Sequence, residues 1–213
     1  MIYLIGGPPR CGKTTLAERF AATIRSSWLS VDYLSTVVSG YIPQDELQSR
    51  YPSLEVPRNN DLRYARYTAA EVIDNYCTKA ATTWPGLRWF IEYALGDGRD
   101  FVLEGYQVEP RFVQELQNAE GHERIRAVFL YREDVSDIAE SIQKGTDPND
   151  WALRTTHETS TFERIASMIG QYGGWFRDEA IRYGFATFNM DHNFQGQLVR
   201  AMDYLAHAPE GNK

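Results

Sequence analysis

Short apolar runs alternate with longer stretches of helical periodicity along most of this chain. The short runs are apolar at nearly every position, as in strands that are buried on both faces of a sheet. They cover residues 2–5, 28–31, 101–103, 125–131 and 185–189. Apolar residues three and four positions apart predict helices at about 13–25, 60–80, 86–95, 133–143, 161–183 and 195–205. The alternation predicts one α/β domain over residues 1–213, with a parallel sheet covered by helices on both faces.

Proline, glycine and polar residues predict where some of these elements start and stop. Pro110 opens a further helix, because a missing N–H costs nothing in the first turn. Ser160 and Glu163 have the spacing of a capping box at the start of the helix over 161–183. Three glycines are expected to weaken that helix internally: Gly170, Gly173 and Gly174. Four breakers argue against any long element between residues 33 and 57: Gly40, Pro43, Pro52 and Pro57.

Composition narrows the classes of function. The 213 residues are 43% hydrophobic and 24% charged, which suits a domain with a substantial core. A formal net charge of −7 argues against a general nucleic-acid binder, although a local basic pocket can still bind an anion. No apolar stretch is long enough to span a membrane, and the first residues lack the pattern of a signal peptide. Cys11 and Cys77 show no disulfide or metal-ligand spacing, so we expect a cytoplasmic protein without membrane or nucleic-acid partners.

The turn after the first predicted strand carries the sharpest chemical signal. Residues Gly7 to Thr14 read G-P-P-R-C-G-K-T, a full match to the Walker A pattern G-x-x-x-x-G-K-[ST] between a strand and a helix. Backbone N–H groups and the helix N-terminus would bind phosphate. Lys13 would bridge the terminal phosphates and Thr14 would hold Mg²⁺. The predicted nucleotide-binding residues are Gly7, Arg10, Cys11, Gly12, Lys13, Thr14 and Thr15.

Other residues of the turn are consistent with a phosphate cradle. Gly12 would let the backbone approach the phosphate oxygens, and Arg10 adds a positive charge at the rim. Cys11 has two interpretations. The helix N-terminus would lower the pKa of its thiol and permit a redox role, or the side chain simply fills a small space in the loop, which we favour.

The motif and the order of elements resemble those of the P-loop small-molecule and nucleotide kinases, with an architecture like that of adenylate kinase. The resemblance implies a three-layer sandwich with a five-stranded parallel sheet, the loop strand at its centre and a mobile lid after the fourth strand. The stretch V-L-E-G-Y-Q-V-E-P from Val102 is similar to one in 2-phosphoglycerate-kinase-like proteins. Nothing in the sequence resembles the base-reading N-K-x-D motif of GTPases, which favours ATP.

Two acidic residues follow predicted strands, Asp32 after 28–31 and Glu104 after 101–103. Ligands of parallel sheets bind outside the carboxyl ends of the strands, so both side chains are expected at one site. The resemblance implies that Asp32 is the general base for an acceptor and that Glu104 is a ligand of Mg²⁺ or of the substrate. The alternatives are a helix cap for Asp32 and a solvated turn for Glu104. Glutamate here departs from the aspartate that usually ends this strand.

Arginines near the predicted lid, residues 144–160, are expected to complete the site. Phosphoryl transfer spreads negative charge over the moving group, so cations must surround it while water is excluded. Arg154 and Arg132 are the predicted catalytic arginines, with a surface ion pair as the alternative for each. The lid is polar and has little apolar area to hold it closed without a ligand.

Residues 33–100 are the predicted acceptor-binding helices. Arg63 and Arg66 lie one helical turn apart and would grip an anionic acceptor together. Arg58 and Arg88 lie in the same region. Aromatic residues at helical spacing are interpreted as core rather than as a binding platform: Tyr64, Tyr67, Trp84, Trp89 and Tyr93. The pattern for a nucleoside monophosphate acceptor matches poorly, so a small metabolite is favoured.

Two functions remain open on this basis. The first is an ATP- and Mg²⁺-dependent kinase, a phosphotransferase that acts on a hydroxyl or phosphate of a small molecule. The second is a nucleotide-dependent switch without a small-molecule acceptor. Asp32 distinguishes them, because a kinase needs a base that faces an acceptor pocket.

Overall fold

The computed structural model describes residues 1–52, 59–147 and 150–207, so Arg58 and two residues of the predicted lid lie outside the described residues. Its five strands are β1 (Ile2–Gly6), β2 (Ser27–Ser30), β3 (Phe101–Glu104), β4 (Ile125–Tyr131) and β5 (Ala186–Asn189). All neighbouring strands are parallel, in the order β2-β3-β1-β4-β5. The helices are α1 (Lys13–Ile24), α2 (Val31–Gly40), α3 (Leu47–Arg50), α4 (Asn60–Arg66), α5 (Ala69–Gly96), α6 (Pro110–Glu120), α7 (Val135–Gln143), α8 (Trp151–Arg154), α9 (Thr159–Arg182) and α10 (Phe194–Ala206).

Helices cover both faces of the sheet, so successive side chains of the central strand β1 are buried on opposite sides. Leu4 packs in a cluster with residues of α5, α6 and α9. Ile5 packs in a second cluster with residues of α1 and α10. A third cluster joins α4, α5, α7 and α9 beyond the sheet. The predicted three-layer α/β fold with a five-stranded parallel sheet and a central loop strand is confirmed.

The predicted separation of the helices over 60–80 and 86–95 is wrong. Helix α5 runs through Pro85 without interruption, and the break lies at Tyr67 and Thr68 instead. Thr68 and Glu71 form a capping box that starts α5. Pro85 removes one backbone hydrogen bond, but its neighbours Trp84 and Leu87 are buried in the core and hold the backbone helical.

The aromatic residues of this region divide between core and surface. Tyr64 and Trp84 are buried, as the helical spacing predicted. Trp89 and Tyr93 are 76% and 73% exposed, so the core interpretation is wrong for them. Periodicity identified the helix, but only the packing decides which of its stripes faces the sheet.

The start of α9 also differs from the prediction. The helix begins at Thr159, and its N-cap residue Glu158 makes no side-chain cap hydrogen bond, so Ser160 and Glu163 form no capping box. Gly173 lies inside the continuous helix α9. A glycine is needed at this position, because a Cβ there would lie 2.0 Å from the carbonyl oxygen of Arg132. The glycine lets α9 pack directly against the end of β4.

The second strand ends earlier than the pattern predicted. Ser30 is the N-cap of α2 and Val31 is its first residue, so Asp32 lies in the first turn of a helix rather than at a strand end. The acidic side chain still lies beside the carboxyl end of the sheet. In the described residues, none of the helices combines the length and the apolar character needed to cross a membrane.

Candidate functional site

The loop between β1 and α1 has an unusual backbone. Gly7, Arg10 and Gly12 have positive φ values of 143°, 60° and 90°. A Cβ on Gly7 would lie 2.2 Å from the carbonyl oxygen of Leu130, and one on Gly12 would lie 2.7 Å from the Phe194 ring. Both glycines are therefore required by conformation and by packing. Left-handed residues in such a loop turn successive N–H groups toward one concavity, as in anion-binding nests.

Lys13 is a buried cation that none of the described carboxylates neutralises. Its side chain is 9% exposed, and its ammonium donates to the carbonyl oxygen of Pro8 at 2.6 Å. Its other contact is the sulfur of Cys11, at 3.9 Å. In the described part of the chain it forms no ion pair with a carboxylate. Because a buried charge is costly unless it is paired, this ammonium fits an anion that enters from outside the chain.

Cys11 has the packing role that the sequence favoured. Its side chain is fully buried and donates to the carbonyl oxygen of Pro8 at 3.0 Å. Burial raises the pKa of the Cys11 thiol, and the nearby Lys13 only partly offsets this. A thiol with a raised pKa is a poor nucleophile at neutral pH, so the structure opposes the redox interpretation.

Thr14 and Glu104 lie together at the floor of the site. The Thr14 hydroxyl donates to Oε1 of Glu104 at 3.1 Å, and Glu104 is 3% exposed at the end of β3. No group of three or more His, Cys, Asp or Glu side chains suited to a metal ion occurs among the described residues. One hydroxyl and one carboxylate fit Mg²⁺, which keeps several waters and takes its other ligands from substrate phosphates.

A cavity of about 440 Å³ joins these residues to the predicted acceptor region. It is lined by Pro9, Arg10, Lys13, Thr14, Ser30, Asp32, Arg63, Tyr76, Glu104, Tyr106 and Trp151. Residues from the loop, β3, α2, α4, α5 and α8 thus meet at one place. Another cavity, of about 320 Å³, lies beside Arg126 and Phe185 and contains none of the predicted site residues.

Asp32 is oriented by a residue that sequence reasoning missed. Its Oδ1 accepts a hydrogen bond from Nε2 of Gln107 at 2.8 Å, and Gln107 is fully buried. Within the described residues, the second carboxylate oxygen of Asp32 has no hydrogen-bond partner. Gln107 follows Glu104 by three residues, so its closeness to the end of a predicted strand was the available signal.

Three aromatic residues of the cavity were also missed. Tyr76 showed the helical spacing of a core residue, Tyr106 follows the end of β3, and Trp151 carried no signal in the sequence. The rings of Tyr76 and Tyr106 meet edge to face with their centroids 4.7 Å apart. Burial raises the pKa of Tyr76 to about 12, so its hydroxyl is protonated at neutral pH.

The two arginines of the predicted pair do not lie at one place. Arg63 lines the cavity, whereas Arg66 lies on another groove with its guanidinium 5.5 Å from the centre of the Tyr67 ring. The one-turn spacing is real, but α4 is short, and the two side chains point to different surfaces.

The predicted catalytic arginines do not line the cavity. Arg132 is 7% exposed and is held by Asp137 at 2.5 Å, Asp191 at 3.2 Å and the Ser141 hydroxyl at 3.1 Å. Arg154 lies at the exposed end of α8. Their catalytic role stays a prediction.

The rim arginine of the loop is bound to the lid. Arg10 pairs with Asp150, whose other oxygen accepts from the backbone of Ala152 at 3.0 Å and so starts α8. Arg10 also donates to the carbonyl oxygen of Ser141 at 3.3 Å. The phosphate loop and the predicted lid are therefore in direct contact.

Helix α4 ties the acceptor region to the same lid. The side-chain amide of Asn60 donates to the carbonyl oxygen of Trp151 at 2.9 Å and to the Thr156 hydroxyl at 3.0 Å. Asp61 accepts the backbone N–H groups of His157 and Glu158 at 2.9 and 3.2 Å. Since α4 also carries Arg63, the acceptor side and the lid share one rigid element.

Comparisons with known proteins bear on the fold. No protein-family model matches the chain, and no curated protein matches its sequence. Among solved structures it is similar to a sugar kinase from Janibacter sp. HTCC2649, with a TM-score of 0.56, 14% identity and coverage of 98% of this chain and 95% of that one. It is likewise similar to shikimate kinase from Bacteroides thetaiotaomicron, with a TM-score of 0.52, 14% identity and coverage of 97% and 99%. The chain therefore has the fold of the P-loop small-molecule kinases.

Proposed function

We propose that this protein is an ATP- and Mg²⁺-dependent kinase that transfers a phosphoryl group to a small-molecule acceptor. The observation that carries the proposal is the shared cavity, in which the unpaired cation Lys13 and the oriented carboxylate Asp32 are both lining residues. A phosphate-binding cation and a candidate base in one cavity are what a phosphotransferase requires. The fold agrees, since both structural neighbours described above are named as kinases.

On the nucleotide side, the chain supplies preorganised positive charge. Lys13 and the loop N–H groups would stabilise the charge that spreads over the transferring group, with no reorganisation at the moment of reaction. Thr14 and Glu104 would hold Mg²⁺, which bridges phosphate oxygens and neutralises their charge. Arg10 adds charge at the rim and can exchange its lid partner Asp150 for a phosphate oxygen.

On the acceptor side, Asp32 would accept the proton of the attacking hydroxyl. Gln107 engages one carboxylate oxygen and so fixes the direction of the other, which is the geometry that a general base needs. The exposed position of Asp32 in the first turn of α2 keeps its carboxylate accessible to an acceptor.

The lid would complete the site when nucleotide binds. Trp151 already lines the cavity, so a small movement of α8 would bring Arg154 toward it. The three partners of Arg132 favour a positioning role for that residue, between β4 and the segment after β5.

ADP formation tests the proposal. Purified protein is supplied with ATP and Mg²⁺, with and without a panel of hydroxylated and phosphorylated metabolites. An acceptor that raises turnover well above basal hydrolysis supports a kinase, and Asp32→Asn should abolish that stimulation while leaving ADP binding intact. If no acceptor stimulates turnover and Asp32→Asn hydrolyses ATP as the wild type does, the nucleotide-dependent switch becomes the better description.

A further inference from the structure

Arg63 is a second cation of the cavity that lacks a counter-ion. Its side chain is half-buried and lines the cavity beside Tyr76. Its Nε atom is buried and has no hydrogen-bond partner. In the described part of the chain, Arg63 forms no ion pair with any carboxylate.

Several other arginines of the molecule have the carboxylate partner that Arg63 lacks among the described residues. Arg10, Arg88, Arg111, Arg132 and Arg177 each pair with at least one carboxylate. A guanidinium withdrawn from water without a partner costs free energy, because lost hydration is not replaced. Arg63 lies on the wall of a cavity, where an anionic ligand can supply the missing partner.

A second basic residue lies behind the same wall. Lys79 is half-buried, and its ammonium lies 5.1 Å from the centre of the Tyr51 ring. Burial and the neighbouring charge of Arg63 lower the pKa of Lys79, which shows that the two cations are close. Lys79 also forms no ion pair among the described residues. Arg63 therefore has a second cation near it.

The acceptor side of the cavity carries charges of both signs. Asp32 and Glu104 are the acidic residues of the lining, and Arg63 is the cation that does not belong to the phosphate loop. The charge of Arg63 lowers the pKa of Tyr76 and the charge of Asp32 raises it, so both residues lie near this side chain. Tyr76 and Tyr106 thus give aromatic surface to a cavity that also contains a candidate base and a cation, which suits a ligand with a hydroxyl for the base and an anionic group for the cation.

We propose that the acceptor is a small hydroxylated anion whose carboxylate or phosphate ester group is bound by Arg63 while its hydroxyl faces Asp32. This inference rests on the proposed kinase function for the role of the hydroxyl, but the anion site can be tested by itself. Arg63 binds the anionic group alone, with Lys79 adding longer-range attraction. Arg66, one turn away on another groove, takes no part.

Thermal unfolding with simple anions tests the site. The protein is first saturated with ADP and Mg²⁺, so that the phosphate loop is occupied, and is then titrated with malonate or with inorganic phosphate. We expect a rise in Tm of about 4 °C at anion concentrations roughly tenfold above Kd. Arg63→Met should abolish this rise in Tm. Arg66→Met should show the same rise as the wild type.

The outcomes separate the possible ligands. A loss in Arg63→Met confined to malonate identifies a carboxylate, a loss confined to phosphate identifies a phosphate ester, and a loss with both identifies a site for either anion. Equal rises in wild type and Arg63→Met, or no rise in either, overturn the proposal. A failure of ADP and Mg²⁺ to raise Tm would instead contradict the proposed function, and the two anion titrations would still be readable.

Kinetics give the complementary test once an acceptor is found. Matched trios of a neutral polyol, its carboxylate and its phosphate ester are compared for stimulation of ADP formation. The anionic members should be favoured in kcat/KM by about 10²-fold, since a charged hydrogen bond contributes about 1.5–3 kcal/mol. Arg63→Met should raise KM for the anion and leave the neutral member unchanged. A neutral polyol preferred by both proteins would contradict the proposal.

Discussion

The two halves of the cavity are built in different ways. The nucleotide side is one contiguous segment, Gly7 to Thr15, completed by Glu104 from the neighbouring strand. The acceptor side takes one or two residues from each of several elements: Asp32 from α2, Arg63 from α4, Tyr76 from α5 and Tyr106 from the segment after β3. A site made from consecutive residues can be read from a sequence, whereas a site made from distant ones depends on how the elements pack.

The halves also differ in how their charges are balanced. Arg10 is paired with the lid, while Lys13 and Arg63 have no carboxylate partner in the described residues. In the proposed function, each of these two cations is a place where a ligand supplies the anion. The following experiments test this division, from the largest expected effect to the smallest.

Removal of the loop cation should affect the nucleotide side most strongly. Lys13→Met is expected to lower kcat for ADP formation by about 10³-fold or more, because the cation acts on charge that develops in the transition state. Arg182→Met is the control, because it removes an exposed cation that pairs with Glu179 in α9, and it should leave basal ATP hydrolysis unchanged. Retention of full turnover in Lys13→Met would show that the loop is not the catalytic phosphate site.

Loss of the base should affect acceptor-dependent turnover only. Asp32→Asn keeps the shape and the contact with Gln107, and is expected to lower kcat by about 10²–10⁴-fold. The rise in Tm with ADP and Mg²⁺ should persist, since Asp32 does not belong to the loop. A loss of nucleotide binding in this variant would mean that the two halves are not separable.

A methyl group in the loop should destabilise the fold. Gly7→Ala is expected to lower the free energy of unfolding by about 3 kcal/mol or more, because its Cβ would clash with the Leu130 carbonyl. Gly98→Ala is the control, since Gly98 also has a positive φ, of 67°, but has open space around it. That change should cost about 1 kcal/mol. Urea unfolding measures both, and equal losses would contradict the close packing of the loop.

Stability should also depend on pH through Glu109, which precedes α6 outside the cavity. Burial raises the pKa of Glu109 to about 7, against the opposing effect of Arg111. The unfolded chain loses this proton near pH 4.5 and the folded chain near pH 7, so stability falls as the pH rises between these values. The loss is about 3 kcal/mol.

Urea unfolding at pH 5 and pH 8 measures this effect. Glu109→Gln should remove most of the difference in the free energy of unfolding between the two pH values. Glu115→Gln is the control, because Glu115 is an exposed partner of Arg88 and should leave the difference unchanged. An undiminished pH dependence in Glu109→Gln would assign it to other groups.

Particular residues show how far the sequence could be read. The loop was predicted residue by residue, because its motif and its flanking elements are local. The sequence divided α5 into two helices, whereas the structure keeps it continuous through Pro85, since the loss of one hydrogen bond is outweighed by the buried neighbours on either side. Gln107 was missed, because its contact with Asp32 joins residues 75 positions apart. Arg63 and Arg66 looked equivalent in the sequence, and only the packing of α4 places Arg63 at the cavity.

The sequence by itself determined the α/β alternation, the central strand and the phosphate loop. These follow from the burial of apolar residues and from backbone geometry that only a few residue types permit. The tertiary structure alone decided where β2 ends, which arginine enters the cavity, and that Lys13 and Arg63 lie in one cavity without carboxylate partners from the described residues. Contacts between distant segments set the burial and pairing of each charge, and no local pattern encodes them.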